Sequence, residues 1–401
     1  MIPFSPPYID DDVINEVTDA LRSGWITTGK RVKELEKQAS DFCNAEQVLA
    51  VNSATSALML GLHWYGVGKG DEVIVPAYTY CATALAVMHV GATPVMVDVE
   101  EDFNISPAKI EQAITGKTKA IITVDFAGWP CKYDVIKRIL DKPEIKNKFQ
   151  AVAEPQKKLG RILFVSDAAH SLGAFYNNKR IGTQADITVF SLHAVKNLTT
   201  AEGGLICLNM PAPFNNEDLY KTLRLWSLNG QTKDALSKSK SGEWKYDIVY
   251  PGFKINMPDV LAAIGIAQFR KYESILEERK RVFDLYTASF EKYSWAICPP
   301  FCQPGCISSF HLYPLRIKNI DEAKRSDLIQ KIAEKNVSVN VHFIPLPMLT
   351  VFKDAGYQLK DFPQTYLQFC NEISLPIYPQ LTNEQCDEVI SAVVECVENS
   401  N

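Results

Sequence analysis

Long apolar runs are missing from this chain of 401 residues, and no stretch approaches the ~18 apolar residues that a membrane-crossing helix needs. Also missing is an excess of charge. Lys and Arg number 42 against 47 Asp and Glu, a net charge of −5. No positive field exists to hold phosphates along a surface, so neither a nucleic-acid nor a membrane partner is expected. The opening Met1-Ile2-Pro3-Phe4-Ser5 lacks a basic stretch followed by an apolar one, so no signal peptide is expected. Internal repeats and low-complexity tracts are absent. The ten cysteines show no repeated spacing. Cys302 and Cys306, in a Pro-rich loop, lack the second pair or nearby histidines that a metal site wants. No metal is expected, and the cysteines read as reduced, cytoplasmic thiols. What is present is 46% hydrophobic and 22% charged residues. That suits a folded protein with a large core and, by length, two or three domains.

Short apolar runs alternate with helical stretches from residue 46 to about 210. Val48–Val51, Glu72–Val75, Thr93–Asp98, Ala120–Val124, Ile162–Ser166, Ile187–Ser191 and Gly204–Leu208 read as buried strands. Ala54–Trp64 and Ala82–Val90 read as amphipathic helices between them. This alternation predicts an α/β domain with a mostly parallel sheet, which binds ligands beyond the carboxyl ends of its strands. Residues 1–45 read as a mobile or wrapping arm plus a helix, with Ser23–Gly29 a loop and helical spacing over Val32–Phe42. The Lys-rich stretch 141–160 reads as a solvated excursion, and 211–255 as irregular and polar. Pro258 is predicted to open a long helix that continues through Val260–Tyr293. Beyond 295, strand-like Ser309–Ile317 and Val337–His342 with helices at Glu322–Lys335 and Asn383–Val397 predict a smaller α+β domain. The expected division is an arm and substrate loop over 1–30, a large domain over 31–270, and a linking helix with the small domain over 271–401.

Four stretches carry candidate chemistry. In Ile187–Gly204 a β-branched strand ending at Ser191 runs into a loop bearing His193 and Lys196, with Gly203-Gly204 after it. A lysine buried past a strand end loses proton affinity, and its neutral amine attacks an aldehyde; the same spacing also suits an ordinary surface lysine. In Ile162–Gly173, Asp167 sits where an apolar strand stops. A buried carboxylate there would keep the ring nitrogen of pyridoxal phosphate (PLP) protonated, and Asp also suits a helix N-cap. In Val51–Leu60, a strand end meets small hydroxyl residues and a helix. The Thr55 hydroxyl and the N–H groups of Ala54 and Thr55 could hold a phosphate, or simply cap the helix. After the Val73–Val75 strand, Tyr80 could stack on a flat ring or pack in the core. Together the stretches come in the chain order phosphate loop, stacking aromatic, pyridinium acid, phosphate serine, lysine. The gap from Asp167 to Lys196 has the length of one strand–helix–strand repeat, which would bring both to one sheet edge.

These segments resemble the DegT/DnrJ/StrS family of sugar aminotransferases, which have the fold-type I architecture of the aspartate aminotransferase superfamily. The resemblance runs through Trp25-Ile26-Thr27-Thr28-Gly29, Gly70–Pro76, Gly91–Val95, Lys196–Gly204, Met257–Ala263, His311-Leu312-Tyr313 and Val341-His342-Phe343. It implies that Lys196 forms the Schiff base, that Asp167 pairs with the pyridine nitrogen and that His170 lies near the phenolic oxygen. Tyr80 would stack on the ring, and Thr55 and Ser191 would bind the phosphate. The family works as a dimer with a shared active site. By that analogy Asn256, with Lys254, would reach the phosphate or substrate of the neighbouring subunit. Substrate contacts are expected around Trp25, Thr28, Gly29, His193, Tyr313 and His342. Three departures stand out. Ala54 replaces the usual Gly, Lys30 replaces the usual Pro, and the 141–160 and 211–220 segments are longer than usual.

The expected reaction moves an amino group from an amino acid, glutamate first, to a nucleotide-linked keto-sugar. Lys196 would carry a proton as general base and then acid. A dehydratase or deoxygenase on the same scaffold is the nearest rival, but such relatives often replace the lysine with histidine. A non-catalytic PLP-binding regulator is the rival from another class. A glutamate-driven change in the cofactor spectrum separates it from a transaminase.

Overall fold

The computed structural model describes residues 1–233 and 244–399. Its first strands are β1 (Gln47–Val51), β2 (Glu72–Pro76), β3 (Thr93–Val97), β4 (Thr118–Val124) and β5 (Leu163–Asp167). After two-residue strands β6 (Phe175–Tyr176) and β7 (Lys179–Arg180) come β8 (Ile187–Ser191) and β9 (Gly204–Leu208). Seven of these form one sheet in the order β1-β9-β8-β5-β4-β2-β3. β8, β5, β4, β2 and β3 pair in parallel, and only β9 runs against its neighbours.

The strands are apolar on both faces because helices cover both. Ile74, Ile121, Phe164 and Phe190 enter one buried cluster. Their chain neighbours Val73, Val75, Ile122, Val165 and Val189 enter another, as the two-residue period of a strand requires. Helices cover both faces and leave the strand ends, so the carboxyl edge is where a parallel sheet takes ligands. The parallel strands all end there, and so does β1, which is antiparallel to β9 and therefore parallel to β8.

A second, antiparallel sheet joins β10 (Ala296–Ile297), β13 (Tyr313–Ile317) and β14 (Glu372–Leu375). Helices Tyr272–Phe290, Glu322–Glu334 and Asn383–Glu398 pack on it around Phe283, Tyr286, Phe290, Leu315 and Val389. A four-stranded ribbon links β11 (Cys302–Gln303) and β12 (Cys306–Ile307) to β6 and β7. Among the described residues, no helix is long and apolar enough to cross a membrane.

Several expectations need correction. The long helix after Pro258 is two helices, Asp259–Phe269 and Tyr272–Phe290. The break falls at Lys271, which leaves helical geometry (φ −124°) and pairs with Asp10 and Asp12. Within 211–255 the structure has a helix, Asn216–Trp226, capped by the Asn215 side chain; residues 234–243 of that stretch lie outside the described residues. The segment 141–160 contains two short helices, Pro143–Lys148 and Glu154–Leu159. Buried Gln156 pins it to the Tyr65 and Gly66 carbonyls. Residues 1–30 include the helix Asp11–Arg22, which lies against Asp259–Phe269. No helix connects β5 to β8. Gly173, Asn177, Asn178 and Gly182 take positive φ there and force turns instead. Val337–His342 makes isolated bridges rather than a strand, and 309–312 precedes β13 as irregular chain.

Candidate active site

The helix Ala54–Trp64 starts directly off β1. Its N-cap is Ser53, whose hydroxyl accepts the Ser56 N–H at 3.1 Å. The Ala54 and Thr55 N–H groups donate to nothing among the described residues, so they and the helix dipole are left for an anion. The turn is crowded from below by β9. A Cβ on Gly204 would lie 2.5 Å from the Ser53 carbonyl carbon and 2.6 Å from the Ala54 nitrogen. Only glycine lets β9 approach this closely. Gly204 pairs with both Val51 and Ser191, so it brings the Thr55 turn and the Ser191 hydroxyl to one place.

Asp167 ends β5 and is buried. Thr83 donates to Oδ2 at 2.8 Å and the Ala169 N–H to Oδ1 at 3.3 Å. Burial still raises its carboxyl above the usual range, with the positive field of Lys196 acting the other way. A cationic N–H donor set against it would relieve that cost. Lys196 lies in the loop after β8 and is half-buried as a residue, with its amine enclosed. Burial pulls the amine down to about 8, against an opposing pull from Asp167.

Three histidines share this space. His170 Nδ1 accepts the Ala127 N–H at 3.2 Å, so its proton sits on Nε2. The His311 ring lies 4.4 Å from it, centroid to centroid. Asn197 donates through Nδ2 to the Ser309 carbonyl at 2.7 Å. Its Oδ1 is therefore the acceptor for His311 Nδ1–H at 2.9 Å. His342 completes the group; burial, with the positive charge of Lys196, pushes its ring down to about 3. Burial pushes His170 and His311 well below the usual histidine range as well, so all three rings are neutral. Buried Arg279 supports the group by donating to the carbonyls of Phe310 and His311.

The remaining candidates divide. Tyr80 is 60% exposed, with the Phe343 ring 5.8 Å away as its aromatic neighbour. His193 is exposed on the lysine loop, 3.6 Å from Glu202. Residues 27–29 are tied to residues 256–259. Trp25 Nε1 donates to the Thr28 carbonyl at 3.4 Å. Thr28 donates to the Met257 carbonyl at 2.5 Å and accepts from Asn256 at 2.6 Å. Lys254 donates to Asn256 Oδ1 at 2.8 Å. Buried Asp259 accepts the N–H groups of Gly29, Arg31 and Val32, which caps the helix Lys30–Cys43. Asn256 itself bridges to Val51, beside the Thr55 turn of its own chain.

Tyr313 is not with this group. It is fully buried between Phe283 and Tyr286, its hydroxyl 3.2 Å from Thr287. Its neighbour by two residues, His311, takes the place expected of it. Strand alternation turns on where β13 begins, and the irregular start of that stretch hid the register. Phe343, stacked 5.9 Å from His170, was also missed as a site residue.

An orphaned N–H pair for a phosphate, a buried carboxylate short of a cation and an enclosed amine of lowered basicity at one sheet edge fit PLP. The chain also matches the model of the DegT/DnrJ/EryC1/StrS aminotransferase family over residues 7–394. It is 35% identical to the spore coat polysaccharide biosynthesis protein SpsC of Bacillus subtilis, covering 100% of this chain and 98% of that one. Its structure is similar to Spr1654 of Streptococcus pneumoniae, assigned as a sugar aminotransferase and solved in its PMP form. There the TM-score is 0.96 at 43% identity, with 100% of each chain covered. Helicobacter pylori PseC, an aminotransferase in pseudoaminic acid biosynthesis, superposes with a TM-score of 0.84 at 25% identity over 99% of each chain. The chain belongs to the DegT/DnrJ/EryC1/StrS aminotransferase family and is a PLP-dependent sugar aminotransferase.

Proposed function

We propose that this enzyme takes an amino group from an amino acid, glutamate, and transfers it to the carbonyl carbon of a nucleotide-linked keto-deoxy sugar. The reading is supported by the family match and the likeness to Spr1654, together with the enclosed Lys196 amine, which burial pulls down to about 8, and the buried Asp167 carboxylate at the end of β5. An amine so poised is a nucleophile and a proton carrier near neutral pH. When bound, PLP supplies an electron sink for the carbanion left as the donor loses its α-proton.

The chain's residues do the rest. Lys196 takes that proton and returns it to the cofactor carbon on the far side of the transferred nitrogen. Asp167 holds the proton on the ring nitrogen. The Ala54 and Thr55 N–H groups, the Thr55 hydroxyl and Ser191 bind the phosphate. Tyr80 covers one ring face, and His170 donates Nε2–H at the phenolic oxygen. His193, His311, His342 and the Trp25–Gly29 loop meet the sugar side. Thr28 reaches that side on a loop whose position Asn256 and Asp259 fix.

We further propose a homodimer in which Lys254 and Asn256 approach the partner's site, and a division of each chain into an arm, a large domain to about 270 and a small domain. The free cysteines suit a reducing, cytoplasmic setting. The name of SpsC favours a role in surface polysaccharide synthesis.

Glutamate alone should convert the bound cofactor from its pyridoxal to its pyridoxamine form. A panel of 4-keto and 3-keto nucleotide sugars should then restore it, with an aminated sugar seen by mass. Conversion by glutamate but aminated product from none of the sugars would overturn the acceptor class.

A further inference from the structure

A buried chain of hydrogen bonds reaches the sugar side of the site from β14. Glu372 is fully buried, and its Oε2 accepts the His342 backbone N–H at 3.0 Å. Its Oε1 meets the Ser374 hydroxyl, which in turn lies 2.8 Å from His342 Nδ1. Two backbone bonds between Asn340 and Ser374, at 3.1 and 2.8 Å, hold the loop to the strand. Phe4 stacks on the His342 ring at 5.4 Å, and Phe343 crosses it at 4.9 Å on its way to His170. His342 Nε2 is bonded to nothing among the described residues.

Ser374 has one hydroxyl proton, so the three groups must order themselves in one direction or the other. With Glu372 ionised, Ser374 donates to it and accepts from His342 Nδ1–H, and Nε2 offers a lone pair. With Glu372 protonated, Glu372 donates to Ser374, Ser374 donates to Nδ1, and the His342 proton sits on Nε2. The two states differ by one proton. A proton taken at Nε2 displaces the Nδ1 proton to Ser374 and the Ser374 proton to Glu372.

We propose that Glu372, Ser374 and His342 form a proton relay through which His342 Nε2 accepts or returns a proton at a sugar hydroxyl or carbonyl oxygen without becoming cationic. The relay rests on the reading that a keto-sugar meets this side of the site. It resolves a difficulty there. Burial disfavours a charged His342 ring, whereas the same burial pushes the Glu372 carboxyl up to about 8, so a proton is welcome on the carboxylate and not on the ring. Other charges facing the relay are few. Lys196, with the neutral rings of His170 and His311, faces His342. Arg325 and the buried Tyr78 hydroxyl face Glu372. Arg316, opposite Glu372 on β13, turns instead to Glu101 and Gln368. Glu372 and Ser374 act as positioning residues, and His342 is the group that meets substrate.

The test is nitrogen-15 NMR of histidine-labelled holoenzyme, with H342Q to assign the resonance, titrated across about pH 6 to 10. The His342 proton should move from Nε2 to Nδ1 as pH rises through about 8, where Glu372 ionises. E372Q and, should that variant fold poorly, S374A should abolish the move. Each should also slow the sugar half-reaction roughly tenfold, as the loss of a buried hydrogen bond does, and erase the inflection near pH 8 from its pH profile. One His342 tautomer throughout the titration, or a move that persists in S374A, overturns the relay. Failure of the aminotransferase reading would look different, because wild-type cofactor would then not respond to glutamate.

Discussion

At Lys196 two effects of opposite sign set the amine. Burial disfavours the ammonium ion and is the larger; the carboxylate of Asp167 favours it and is the smaller. The balance near 8 leaves a tenth or so of the lysine neutral at pH 7 and most of it neutral at pH 9. Two consequences follow for the apoenzyme. Its reaction with PLP should speed up as pH rises through about 8 and level off above. In D167N the favouring charge is gone, so the midpoint should move below that of wild type. Stopped-flow absorbance of cofactor capture at a series of pH values reads both midpoints. A midpoint unchanged in D167N would mean that Asp167 does not bear on the amine, and one that moves upward would contradict the sign of its effect. The histidines work on the same principle without a compensating partner, which is why all three are neutral.

Among elements, the decisive contact is between the first turn of the helix Ala54–Trp64 and the start of β9. Its closeness depends on Gly204, since any larger residue meets the Ser53–Ala54 backbone. G204A should therefore push the phosphate turn away and weaken PLP binding by about tenfold or more, on the scale of an overpacked buried contact of ~1–3 kcal/mol. Equilibrium dialysis of PLP against the folded apoenzyme measures it. This element logic was largely visible in the sequence. The seven strands of the main sheet were legible because both faces are buried and their apolar runs are bounded by polar turns, as at Ile187–Ser191. Asp167, Ser191 and Lys196 could be read as a set because parallel strands end on one edge. What stayed hidden depended on contacts distant in sequence. The capping of Lys30–Cys43 by Asp259 joins residues about 230 apart, and β14 is a short run, Glu372–Leu375, whose charged first residue masks a buried strand. His311 was masked because the neighbouring Tyr313, and not the histidine, begins β13.

Across the whole molecule, two sheets with separate cores meet around the site, and the small-sheet side supplies buried groups that titrate. Glu372 illustrates the cost. Its carboxyl stands near 8 when folded against 4.5 as its ordinary value, so the folded chain holds more protons than the unfolded chain between those limits. Stability from this group is therefore full below about 4.5 and is lost as pH rises through about 8. Relative to E372Q, wild type should lose stability across that window with a slope of up to about 1.4 kcal/mol per pH unit. Urea unfolding of both apoproteins at matched pH values gives the difference, and a wild-type stability that holds level or rises relative to E372Q across that window would contradict the buried, proton-holding Glu372. The whole arrangement, from phosphate turn to relay, is organised around one lysine. The measurement that bears on it most directly is a single-turnover absorbance trace of cofactor-loaded enzyme mixed with glutamate, for wild type and K196A side by side. Wild type should pass from the lysine-bound to the pyridoxamine spectrum, whereas K196A should show no lysine-bound absorbance at the start and no proton-transfer step; a K196A trace that matched wild type would contradict the account.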